Sequence, residues 1–142
     1  MENMDKKYHF KEVKEPHLGN LILGSKTVEG RLYEPFSVWT EIKIGDYLVM
    51  FPNRYNMCIN CHMFEVIGLY RADTFADLYR IFGEKLLPGI KTVDDCINLY
   101  YTVGYNDSCT IKEYIEKRKN DEKKYGVIGV EVKYLRPYSI QM

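Results

Sequence analysis

The chain has 142 residues, 46% of them hydrophobic and 28% charged. Those proportions let a single domain bury a core without disulfide staples. Twenty basic residues balance twenty acidic ones, so no global field draws the protein to long duplex DNA or to an anionic membrane, and any nucleic-acid contact has to come from a local patch.

No apolar run approaches the ~18 residues of a membrane span. The first ten residues, MENMDKKYHF, lack the apolar segment of a signal peptide. A cytoplasmic protein is therefore expected, with its four cysteines as thiols rather than disulfides. Neither repeats nor a Pro/Gly/Ser linker interrupts the chain, so one domain over residues 1–142 is expected.

In chain order, residues 6–13 (KKYHFKEV) suit a first strand. Pro16 suits the first position of a short helix with a Leu18, Leu21 and Ile22 stripe, and Gly24 suits its stop. Residues 25–33 follow as a strand, and Pro35 to Thr40 as a turn or short helix around Trp39. Gly45-Asp46 makes a turn before a β-rich run, Tyr47 to Phe51. A loop around Arg54 to Met57 leads to a third strand from about Cys61 to Tyr70. Asp73 is the expected cap of a helix with Phe75, Leu78, Tyr79 and Phe82 on one stripe. Thr92 with Asp95 opens a second helix carrying Cys96, Leu99, Tyr100 and Val103. Thr110 with Glu113 forms a capping box for a third, charged helix to about Lys124, whose thin apolar stripe places it on the surface. The closing segment, GVIGVEVKYL, reads as a strand. Strands first, helices next and one returning strand make an α+β domain with a curled, mostly antiparallel sheet.

The segment GSKTVEGRLY, residues 24–33, concentrates ionisable groups in a strand. Alternation turns Val28, Gly30 and Leu32 to one face and Thr27, Glu29 and Arg31 to the other. Lys26 sits at the helix-to-strand corner. Lysine offers a point charge or an amine, arginine a bidentate fork for phosphate or carboxylate, and Glu29 a group that accepts protons or orients the lysine. Gly30 permits a ligand or a neighbouring chain to approach the backbone. A solvated Glu29–Arg31 pair beside an exposed corner lysine is the alternative.

GSKTVEGR matches the pattern GxKxxExR, and the chain resembles the ASCH domain family of the PUA-like superfamily. Trp39 with IKIGDYLVMF, Tyr70 with Asp73-Thr74-Phe75, the LPG at 87–89 and YGVIGVEVK at 125–133 resemble further blocks in the family's order, over about residues 8–134. The resemblance implies a PUA-like curled β-barrel with flanking helices and a cleft beside the motif strand. It implies RNA, or a small nucleotide or nucleoside, as partner. Lys26 and Arg31 would contact phosphate or a base edge, Glu29 and Thr27 would support them, and Tyr33, Trp39 and Tyr101 would stack. Tyr100, on its helix's apolar stripe, reads as core.

Small family members resemble amidohydrolases acting on acetylated cytidine through a lysine, a threonine and a later glutamate. Here Lys26 holds the lysine position, Glu29 occupies the threonine position, and Glu84 lies in the region of the later acid. Hydrolysis through Lys26 and Glu29 is the alternative activity. No cofactor is implied.

Two other features read as structural. CINCH, residues 58–62, fits a haem-attachment spacing, but it leads into a strand and lacks further ligands at zinc spacing, so no metal is expected. The run KRKNDEKK, 117–124, reads as a solvated helix face. His9 and His17 lie near the expected cleft in sequence, but neither has partners that make it a base.

Overall fold

A computed structural model describes residues 6–53, 55, 60–106 and 108–139. Its strands are β1 (Tyr8–Glu12), β2 (Val28–Leu32), β3 (Tyr47–Phe51), β4 (Cys61–Ala72) and β5 (Val127–Tyr138). Its helices are α1 (His17–Leu23), α2 (Val38–Glu41), α3 (Phe75–Phe82), α4 (Val93–Thr102) and α5 (Ile111–Tyr125), with a 3₁₀ turn at Gly83–Lys85. The class is α+β, with the five strands in one mixed sheet of order β1-β3-β4-β5-β2. β3 and β4 run antiparallel, with Tyr47 opposite Glu65. β1 and β3 run parallel, with Tyr8 opposite Tyr47. Parallel neighbours need a crossover of a dozen or more residues, and the segment carrying α1, β2 and α2 supplies it.

The described residues divide into two compact units: those within 6–29, 42–69 and 130–139 form the first, and those within 30–41 and 70–129 the second.

In the first unit Leu48, Val49, Met50 and Phe51 are all buried in succession. A strand covered on both faces has no polar side to alternate with, hence the unbroken apolar run. Val49, Phe51, Cys61 and Met63 pack together, with Tyr47 and Tyr138 against them. α1 buries Leu18 and Leu21 and ends at Gly24, whose left-handed backbone (φ 85°) lets its N–H reach the Asn20 carbonyl. The loop expected around Arg54 to Met57 lies largely outside the described residues.

In the second unit α3, α4 and α5 begin on threonine caps. Thr74, not the expected Asp73, caps α3: its hydroxyl accepts the Asp77 N–H at 3.0 Å. The two residues are adjacent and of similar capping strength, so the sequence offered a register one place too early. Thr92 caps α4 and accepts from the Asp95 N–H, and Thr110 with Glu113 completes the capping box of α5. Phe75 of α3 stacks on Tyr100 of α4, ring centroids 3.9 Å apart and planes 7° apart. A methyl group on Gly30 would lie 2.6 Å from the Tyr100 hydroxyl, so the neighbour that the glycine admits is this core tyrosine.

A buried carboxylate anchors α5. Glu122 is its one buried residue. One oxygen accepts the Phe75 N–H of α3 at 2.8 Å, and the other accepts the Tyr101 hydroxyl at 2.5 Å.

Candidate functional site

The GxKxxExR segment is built from a corner inward. After α1 ends, the Lys26 N–H donates to the Asn20 carbonyl at 3.1 Å, and the Ser25 hydroxyl bonds the same oxygen. That fixes the backbone before the strand, so β2 begins at Val28 rather than at residue 25. Strand pairing begins beside it, where the Thr27 carbonyl accepts the Val132 N–H at 2.9 Å.

From this corner the Lys26 side chain turns inward. It is 1% exposed, and its ammonium donates to the Val28 carbonyl at 2.7 Å and lies 3.3 Å from a Glu29 carboxylate oxygen. Glu29 is buried as well. Lys26 is therefore not the solvated corner residue of the alternative reading. A lone charge at either position would cost several kcal/mol, so each residue makes the other tolerable. Chemically, the pair presents a cationic donor and an anionic acceptor from one strand end in a dry environment, where both act more strongly than in water.

Arg31 follows on β2, half-buried, with its guanidinium carbon 5.1 Å from the centroid of the Trp39 ring. Trp39 itself is 4% exposed, so its ring belongs to the packing of the second unit. Tyr33 carries the Arg71 guanidinium on its ring at 3.4 Å. Tyr101 is half-buried and bonded to Glu122; burial and that bond push its hydroxyl well above the usual tyrosine value. Tyr100 is buried against Phe75, as its stripe implied. Glu84 lies at the surface on the 3₁₀ turn. It pairs with Lys91 at 3.0 Å and accepts the Gly89 N–H, and both bonds hold its carboxyl below the usual range.

One polar pair escaped the sequence reading. The His9 ring Nε2 lies 2.9 Å from Asp46 Oδ2, and Asp46 also accepts the backbone N–H groups of Lys7 and Lys43. An ionised carboxylate only accepts, so the facing Nε2 carries the proton. The partners are 37 residues apart, and no local spacing announces such a pair.

Cys61 is buried at the start of β4, and Cys96 is buried in α4, where burial pushes its thiol up to about 11. Cys58 lies outside the described residues. Among the described residues no three His, Cys, Asp or Glu side chains converge as metal ligands. No helix among them is long and apolar enough to cross a membrane.

No family sequence model matches the chain, and no curated protein matches it. Solved structures do. A hypothetical protein designated PH0355 is 24% identical with a TM-score of 0.69, over 91% of this chain and 99% of that one. Protein PF0455 from Pyrococcus furiosus is 25% identical with a TM-score of 0.61, over 91% and 97%. The ASCH protein from Zymomonas mobilis is 12% identical with a TM-score of 0.56, over 96% of this chain and 76% of that one. The fold is thus α+β. More narrowly, it is the ASCH fold, as the order of motif blocks in the sequence implied.

Proposed function

We propose that the protein binds RNA or a small nucleotide or nucleoside, and that Lys26 and Glu29 read a polar edge of the ligand. The observation that carries this reading is the buried Lys26–Glu29 pair in the GxKxxExR segment of a chain with the ASCH fold. Buried ion pairs seldom add stability over apolar residues of similar volume, so a pair kept at such a position suits a site.

The test has to separate binding from folding. Lys26→Ala alone would strand a buried carboxylate at a cost of about 3–5 kcal/mol and lose the fold with the site. The double variant Lys26→Met/Glu29→Leu replaces both charges at similar volume. Its urea midpoint is expected near that of the parent, while titration with short single-stranded RNA and with cytidine nucleotides shows affinity at least about tenfold weaker. Equal affinity in parent and double variant would sink the proposal. Acetate released from acetylated cytidine by the parent, and not by Glu29→Gln, would replace plain binding with turnover at the same pair.

A further inference from the structure

The second unit holds a polar hollow that the GxKxxExR segment does not account for. It has a volume of about 440 Å³ and lies between the end of α5 and the turn that leads into α3. Three cations line it: Arg71, Lys123 and Lys124. Elsewhere in this unit Arg80, Lys91 and Lys117 each have a carboxylate oxygen within 3.0 Å. Among the described residues none of the three cations at the hollow forms such an ion pair.

Their surroundings are arranged for an incoming anion. The Arg71 guanidinium lies on the Tyr33 ring and donates to the Tyr125 carbonyl at 3.3 Å. Held on two sides, it loses little freedom when it binds. Lys124 lies 5.2 Å from the Tyr125 ring centroid, and both lysines are exposed on the last turn of α5. Two acids share the lining, Asp73 and Glu122. Both oxygens of Glu122 are already bonded, to the Phe75 N–H and the Tyr101 hydroxyl, so this carboxylate faces its own donors. Three cations stand against these two acids, so the lining keeps an excess of positive charge. The α5 carbonyl ends attract part of the lysine charge, and Arg71, reaching over from β4, donates to one of them at Tyr125.

We infer that this hollow seats a phosphate group, either on a free nucleotide or in the backbone of single-stranded RNA. Arg71 supplies the oriented fork, and Lys123 and Lys124 supply mobile point charges. The inference rests on residues of the second unit alone and stands whether or not a ligand meets Lys26.

Backbone amide NMR of the full chain tests it, with inorganic phosphate, cytidine, cytidine 5′-monophosphate and a single-stranded RNA hexamer as probes. Arg71, Thr74 and Gly126 amides are expected to shift with phosphate and with the monophosphate, and to stay still with cytidine. A stronger response to the hexamer than to the monophosphate assigns the phosphate to a chain; the reverse assigns it to a free nucleotide. Lys123→Ala/Lys124→Ala removes two exposed side chains, so the fold is kept and affinity falls at least about tenfold. For the hexamer the variant's log affinity against log salt becomes shallower by about 1.4. Still amides at millimolar concentrations of all phosphate probes would overturn the inference. So would cytidine shifting the same amides as its monophosphate, or a double variant that titrates like the parent.

Discussion

Asp46 shows how much one buried side chain can organise. Burial alone would raise its pKa from the usual 3.8, but the His9 ring and the Lys7 and Lys43 N–H groups bond the ionised form and bring it below that value. The folded state therefore prefers the carboxylate more than the unfolded chain does. Its contribution is fully present above pH 3.8 and fades as the pH falls through the lower folded value. Asp46→Asn is expected to cost about 1–3 kcal/mol at pH 7. The gap between variant and parent in urea unfolding should stay level down to about pH 4 and close below it; a gap that holds at pH 2 would refute the assignment. None of this was legible beforehand, because the sequence gives Gly45-Asp46 only as a turn. Lys26 and Glu29 were legible as residue types worth watching, and their spacing was visible. Their burial was not. Alternation correctly put Val28, Gly30 and Leu32 inward, but it left open whether the opposite face is solvated, and Glu29 is buried there.

Single elements were easier to read, because the signals that start and stop them are local. The α1 stop at Gly24, the β3 run and the α5 capping box all follow from residues within one turn of the event. What depends on distant chain was not legible: the parallel partner of β1, and the extension of β5 to Tyr138. α5 combines both cases. Its charged run, KRKNDEKK, reads as a solvated face, and Lys117 with Asp121 behaves so. Glu122, inside the same run, is instead the anchor between α5, the start of α3 and Tyr101. Glu122→Leu leaves the Phe75 N–H and the Tyr101 hydroxyl without their acceptor and is expected to cost about 2–4 kcal/mol. Tyr101→Phe removes only one of those bonds and should cost about 1 kcal/mol. Because the two residues touch, a double-mutant cycle should return a coupling energy of about 0.5–3 kcal/mol by urea unfolding. Additive losses would show that Glu122 does not hold Tyr101.

At the scale of the whole molecule, twenty cations against twenty anions bear on the proposed RNA binding, since they favour a few phosphate contacts over many. Duplex DNA presents a charge every ~1.7 Å along its axis, and tight binding to it neutralises many phosphates at once. The cations proposed to meet phosphate are few: Arg71, Lys123 and Lys124 at the hollow. With about three phosphate contacts, a single strand should give a log–log salt slope near −2. Fluorescence anisotropy with a labelled RNA octamer across 50–300 mM salt is expected to show that shallow slope. A thirty-base-pair DNA duplex is expected to bind more weakly than the octamer at physiological salt, since extra phosphates bring no extra partners. A slope steeper than about −5, or a preference for the duplex, would mean a cationic surface much larger than the one these residues provide.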